Sequence, residues 1–381
     1  MECKVKVFIL QRCDFSFFFP ILIINSKKTR TFALNLQEPS IMEKVTVLIV
    51  GAGPAGCTCG LLLRKKNVEC IVLERAMFPR DKICGGGLTP RSYQLLNRLL
   101  PEFHYDYNSV KQIRLMIEGK MAFDLTMPEE LRIVKRREFD AMLLKEYKKS
   151  GGAFVNESLT GIEEKDGLII VTLQSGRHIA CDYLIGADGA NSRVRKYLNP
   201  KANHGLLWME QYGPKSSDNT ITINVSKNYQ GGYYYVFPNE GYDVQGFGDR
   251  STTPQSFRQV LNEMGCPNIK AKGAYIPNTI DYPLHSRIIL IGDAGGFPNR
   301  LTFEGIYYAF LTASNAAEAI SNGKPFAEIN RQVFDNKKKE ERIARFFYSN
   351  TGLWLLRIVC KRCPKFVKWC YNKATTMSKT N

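Results

Sequence analysis

Gly51, Gly53 and Gly56, followed by an acid at Glu74, have the types and spacing that hold a dinucleotide. Gly51 allows the tight turn, Gly53 lets a pyrophosphate approach the backbone, and Gly56 lets a helix pack closely on a strand. The amides at the helix N-terminus then meet the phosphates with a partial positive charge. Glu74 can accept hydrogen bonds from ribose hydroxyls, which favours an adenine dinucleotide without a 2′-phosphate. Taken alone, the same glycines fit a turn in an unrelated α/β unit. Two later segments separate FAD from NAD: Tyr183 to Arg195, containing Asp188 and Gly189, and Ile288 to Pro298, containing Asp293 and Gly295. Each reads as a strand that ends in glycines and an aspartate and then opens a helix. That puts a carboxylate and bare backbone at strand carboxyl ends, where doubly wound sheets bind ligands. The competing reading of either segment by itself is an N-capped helix after a strand. Asp293 suits a ribityl or ribose hydroxyl.

Two further groups carry chemistry. Cys84 precedes Gly85-Gly86-Gly87, glycines that let a loop approach a flat ring system closely. Its thiol can shape a pocket or donate a proton; an inert buried cysteine is the alternative. Tyr233, Tyr235 and Phe237 alternate along a strand and so share a face. Their rings can stabilise developing positive charge, or they can be plain core. His104, His178, His204 and His285 fall in no nucleophile or metal arrangement. Cys360 and Cys363 form a single CxxC without a second pair, so no metal site is expected.

The three nucleotide segments resemble FAD enzymes of the para-hydroxybenzoate hydroxylase type. Within that group residues 43–325 are most similar to the geranylgeranyl reductase family, flavoenzymes that saturate prenyl double bonds. The more specific signals are Phe78-Pro79-Arg80-Asp-Lys82-Ile-Cys84-Gly85, Gly292-Asp293-Ala-Gly295-Gly296 with Glu304-Gly305-Ile306, and Tyr233-Tyr-Tyr235-Val-Phe237-Pro238 with Gly246-Phe-Gly248 behind it. The resemblance implies that Ala55, Arg75, Arg80, Gly85, Arg136, Gly305 and Ile306 join Gly51, Gly53, Gly56, Glu74, Cys84, Asp188, Gly189, Asp293 and Gly295 around FAD. Arg136 is by the same token a flavin-contacting arginine, against a solvated residue in a basic run; Arg80 can equally be a loop charge. Cys84 and Tyr235 are the candidate catalytic residues, and the resemblance implies a substrate pocket of Tyr233, Tyr235 and Phe237. Tyr235 stands where the family has tryptophan, Arg300 where a proline is usual, and Phe303 where a glycine is usual.

These residues need elements to hold them. Val45–Val50 and Cys70–Leu73 are continuous apolar runs, as buried parallel strands require. Gln112–Ile117, Met121–Met127, Thr220–Val225 and Tyr233–Phe237 read as strands, with a hairpin around Lys165-Asp166-Gly167. Phe139–Tyr147, Phe257–Met264 and Gly305–Ile320 read as helices. The expected fold is α/β: a doubly wound, Rossmann-like FAD domain from residues 42–100, 133–200 and 278–325, with an inserted mixed-sheet α+β substrate domain from 101–132 and 201–277. Residues 326–381 form a basic helical tail, and residues 1–41 a leader, with Met42 as the natural start.

The chain has 381 residues, 44% of them hydrophobic and 23% charged, which excludes a disordered or fibrous chain. The formal net charge is +17, and its place matters more than its size. Residues 342–381 hold nine basic residues and no acid. With Trp354, Phe366 and Trp369 among them, this tail suits an anionic membrane face; a helix packed on the domain with a solvated basic face is the bland alternative. No basic helix-turn-helix or zinc-finger pattern supports nucleic acid. Eleven scattered cysteines indicate reduced thiols in the cytoplasm, with peripheral attachment at the inner face of the cell membrane through the tail.

The expected activity is reduction of prenyl double bonds on a lipid or quinone precursor. An unactivated alkene needs a hydride from a low-potential donor, which reduced FAD supplies and side chains cannot. Electrons would come from NAD(P)H or a small redox protein, since no second GxGxxG is present. A flavin monooxygenase or halogenase, or a lipid-binding flavoprotein without turnover, are the competing functions on the same fold.

Overall fold

The computed structural model describes residues 42–375; the expected leader, 1–41, lies outside the described residues. Val45–Val50 does form the centre of a sheet. Strand Glu43–Val50 pairs in parallel with Cys70–Leu73 on one side and His178–Gly186 on the other. Helices cover the face that bears Val47 and Ile49, and both residues are fully buried. Six strands of the seven-stranded sheet run Ala153–Val155, Cys70–Leu73, Glu43–Val50, His178–Gly186, Leu168–Leu173, Leu159–Lys165, and the seventh, Ile288–Leu290, pairs with His178–Gly186. Leu159–Lys165 and Leu168–Leu173 form the expected hairpin, turning through Asp166 and Gly167 at φ +50° and +75°, the backbone a two-residue hairpin turn favours.

Strand His178–Gly186 changes neighbours along one edge. Its first half pairs with Leu168–Leu173 and its second with Ile288–Leu290. Val50, Gly186 and Leu290 therefore stand level, and the three motif loops leave the sheet at the same carboxyl edge. Helices Pro54–Lys65, Arg136–Lys149 and Ile306–Ser321 pack together over this sheet.

The second sheet has eight strands in the order Lys272–Ile276, Leu206–Pro214, Tyr242–Gly248, Tyr233–Pro238, Thr220–Val225, Asn108–Ile117, Lys120–Ile133, Gly87–Leu88. It is antiparallel except where Thr220–Val225 runs parallel to Asn108–Ile117.

One local expectation fails. The segment from Ile288 does not open a helix directly after its aspartate. A single 3₁₀ turn, Gly292–Gly295, ends at Gly296 in the left-handed region, φ +70°, and Pro298 has no N–H to continue it. The helix begins only at Ile306, and the intervening loop becomes a wall of the site. The tail is helical as expected, in pieces: Phe326–Ile329, Arg331–Phe347, Asn350–Arg362 and Pro364–Thr375. Among the described residues no helix is long and apolar enough to cross a membrane.

Candidate functional site

A cavity of about 790 Å³ runs from the carboxyl edge of the first sheet to the inner face of the second. At its first end lie Gly51, Gly53, Ala55, Glu74, Arg75, Asp188, Gly189, Asp293, Gly305 and Ile306. Gly51 sits at φ +108°, and a Cβ there would stand 2.3 Å from the Ala187 carbonyl oxygen. Gly56 and Gly295 do not line the cavity. A Cβ on Gly56 would fall 1.8 Å from the Gly51 oxygen and one on Gly295 2.2 Å from the Phe297 ring, so both permit packing behind the wall.

Gly53 caps helix Pro54–Lys65 with no side-chain acceptor, and the first turn contains no acid. Its end is thus open to an anionic ligand. Glu74 Oε2 accepts from the Ala52 amide at 2.9 Å and Oε1 from the Ala76 amide at 2.8 Å, which holds the carboxylate at the rim with lone pairs to spare. Asp188 Oδ2 accepts from the Arg193 amide at 2.7 Å, whereas Oδ1 is buried without a partner. Burial pushes this carboxyl up despite the hydrogen bonds it receives. An orphaned acid oxygen, glycines pressed on backbone and an uncapped helix end fit the pyrophosphate and sugar hydroxyls of FAD.

Sequence reasoning missed Arg195. Only 1% exposed, it donates to the carbonyls of Asp293 and Ala294 at 3.1 Å each, and to those of Ala190 and Asn203. It ties the second motif loop to the third. In a chain this basic, one more arginine on a short helix carries no signal of that role.

Midway along the cavity stand Arg80, Cys84, Gly85 and Arg136. Arg136 is 8% exposed and pairs in bidentate fashion with fully buried Asp140 at 2.9 Å, so the reading as a solvated charge is wrong. Arg80 lies 3.4 Å from the same acid and stacks over Phe78. Cys84 Sγ accepts from the Gly86 amide at 3.4 Å.

Beyond this the lining turns aromatic. Tyr233, Tyr235 and Phe237 do share a face, with centroids 6.2 and 4.7 Å apart along the row. The glycines behind them have a steric reason. A Cβ on Gly246 would stand 2.4 Å from the Tyr235 ring, one on Gly248 2.3 Å from Trp208, and one on Gly85 2.5 Å from Phe237. Trp208, two strands away across Tyr242–Gly248, stacks on Tyr235 at 5.8 Å, so an indole adjoins position 235 from outside the motif. Phe303 takes φ +54°, where a glycine would be at ease, and its ring packs 4.8 Å from Trp208. Arg300 pairs with Glu341 of the tail at 3.0 Å. Glu304 is clamped by Arg91, Ser92 and Thr89. Phe347 and Tyr348 close the far end.

A second residue escaped sequence reasoning. Glu210 is 5% exposed and lines the cavity beside Tyr235, whose hydroxyl donates to it. Burial raises its carboxyl to about 7, the Tyr235 hydroxyl and the Cys84 amide offsetting only part of the effect. An alternating strand gave no reason to single out one acid. Among the described residues no cluster of His, Cys, Asp and Glu could hold a metal.

Residues 44–209 match the FAD binding domain family. The chain is 29% identical over 346 residues to an uncharacterized protein of Methanosarcina barkeri, covering 82% of this chain and 86% of the relative. It is 27% identical to the menaquinone reductase of Mycobacterium tuberculosis, over 74% of this chain and 78% of that one. With the chloroplastic geranylgeranyl diphosphate reductase of Arabidopsis thaliana it shares 26% identity, over 74% of this chain and 66% of that one. A geranylgeranyl bacteriochlorophyll reductase-like structure from Thermoplasma acidophilum superposes with a TM-score of 0.64 at 19% identity, covering 86% and 90% of the two chains. The halogenase PltM superposes at 0.67 and 17% identity, covering 82% and 78%. Both structures show a shared fold.

Proposed function

We propose that this chain, whose residues 44–209 match an FAD binding domain, is an FAD-dependent oxidoreductase that reduces carbon–carbon double bonds of a geranylgeranyl or polyprenyl chain. The observation that carries this reading is the continuity of the cavity. Its nucleotide end runs without a break into an arm lined by Ile113, Leu115, Leu131, Ile221, Ile223 and Val225 and ending in aromatic rings. A branched hydrocarbon would lose its water shell there at about 25 cal/mol per Å² buried.

In this reading Gly51, Gly53 and Ala55 take the pyrophosphate of FAD, Glu74 and Arg75 the adenosine end, and Asp293, Gly305 and Ile306 the ribityl and ring end. Arg80, Cys84, Gly85, Arg136, Asp188 and Gly189 complete the enclosure. Reduced FAD, when bound, supplies a hydride. The protein orients the alkene and excludes water. Tyr233, Tyr235 and Phe237 present ring faces to the tertiary carbon on which positive charge develops. The tyrosines remain phenols: burial raises both, and Glu210 raises Tyr235 further. NAD(P)H or a small redox protein reloads the flavin, and the substrate is a prenylated lipid or quinone precursor.

Anaerobic incubation of the dithionite-reduced holoprotein with geranylgeranyl lipids tests the reading by mass. Products heavier by two hydrogens support it. A long-lived oxygen adduct in air with substrate hydroxylation, and no hydrogen gain, would replace it with a monooxygenase.

A further inference from the structure

Among the oxygen acids and phenols of the aromatic arm are Glu210, Tyr233, Tyr235, Glu304 and Tyr348. All of these but Glu210 are committed, Tyr348 by donating to the Leu301 carbonyl at 2.6 Å. Tyr233 donates to the Thr302 carbonyl at 2.6 Å, Tyr235 donates to Glu210, and Glu304 accepts from Arg91, Ser92 and Thr89. Glu210 is different because its two oxygens are unlike. Oε1 accepts the Tyr235 hydrogen and the Cys84 amide lies close enough to favour the anion, but Oε2 is buried with no donor at hydrogen-bonding geometry. An ionised carboxylate with a dry, unpartnered oxygen is strongly disfavoured against the neutral acid. A proton on Oε2 removes that charge and leaves the Tyr235 bond intact.

We propose that Glu210 is the general acid of the reduction, its carboxyl turning toward the cavity to give its proton to the alkene carbon that does not receive the hydride. The inference rests on the reductase reading above and adds the proton source. The alkene π pair forms one new C–H bond with this proton as the O–H bond of Glu210 breaks. The other carbon gains its C–H bond from the hydride of reduced FAD, so the alkene is reduced by two electrons and the flavin oxidised by two. Glu210 is left as a carboxylate, still accepting from Tyr235, and regains a proton from water between turnovers. The charged and titratable groups around it are Tyr235 and Tyr212, and Lys82, Cys84 and Arg136 across the cavity. Lys82 and Arg136 favour the anion, but burial outweighs them and sets the carboxyl at about 7.

The test uses FAD-loaded wild type, Glu210→Gln and Tyr235→Phe, each first checked for flavin content. Infrared difference spectra on raising the pH should show a protonated-carboxyl band lost with a midpoint of about 7, absent in Glu210→Gln and shifted upward in Tyr235→Phe, where the hydroxyl donor is gone. Reoxidation of the reduced protein by a geranylgeranyl lipid should slow as pH rises through the same midpoint, and by about 100-fold or more in Glu210→Gln. A wild-type rate in Glu210→Gln, or no titrating band in an active wild type, overturns the proposal while sparing the reductase reading. A titrating band in a wild type that reduces no prenyl lipid overturns the reductase reading and this role with it.

Discussion

Phe303 is held in the left-handed region, where a side chain meets its own backbone at a cost of about 1–2 kcal/mol. What holds it there is burial of the ring against Trp208 and Tyr233. Phe303→Gly frees the backbone and removes the ring. Loss of a buried ring costs about 3–5 kcal/mol, so the variant should be less stable by roughly 1–4 kcal/mol after relief of strain, as urea denaturation would measure. Its widened arm should accept bulkier prenyl chains, read from product masses across a substrate panel. Gly246→Ala separates the two halves of the site. Its methyl would drive into the Tyr235 ring, overpacking that costs about 1–3 kcal/mol. Flavin content should hold while prenyl-driven flavin reoxidation falls. A colourless Gly246→Ala protein would show that the aromatic arm and the nucleotide end do not behave separately. The spacing around residue 246 was readable from sequence; the reason for it, a ring from the next strand, was not.

At the scale of elements, the strand His178–Gly186 does the organising. By exchanging one neighbour for another halfway along its edge, it admits Ile288–Leu290 and lines up three loops that lie far apart in the chain. Arg195 then locks two of those loops through their carbonyls. Arg195→Met fills similar volume but removes the guanidinium from four carbonyls, of which only that of Asp293 keeps another donor, the Gly296 amide. Each such loss costs about 1–3 kcal/mol, so unfolding at markedly lower denaturant and release of FAD are expected, measured together by flavin fluorescence during a urea titration. Normal cofactor retention would place the loops' rigidity elsewhere. The motif glycines were legible because each answers to its immediate backbone. The guanidinium clamp was not, because its acceptors come from three separate stretches of chain.

Across the whole molecule, the tail is joined to the site. Lys337 donates to the Pro298 carbonyl at 2.5 Å, Tyr348 to the Leu301 carbonyl at 2.6 Å, and Leu353 packs against Ile117 and Val225. Removing all of residues 342–381 would therefore open the cavity as well as strip basic charge. Truncation after Cys363 spares these contacts and deletes helix Pro364–Thr375, on which Phe366 and Trp369 stack 5.8 Å apart and are 53% and 55% exposed. With a contribution of about 1 kcal/mol per basic residue near an anionic surface, the full chain should sediment with phosphatidylserine vesicles more than the truncated one, and less as salt rises. Equal sedimentation would remove the membrane-docking role and leave a solvated basic helix.

Sequence by itself determined what consecutive residues must do. It specified a buried parallel strand, a glycine turn, an acid at its neighbour's end and a row of alternating rings, because these depend on local backbone geometry and a period of two. Tertiary structure alone decided that the rings, the tail and the motif loops enclose one cavity, that Arg136 is paired and buried, and that a glutamate lies dry beside Tyr235. Those outcomes depend on register between strands distant along the chain and on the exclusion of water, and neither is written in any single stretch of residues.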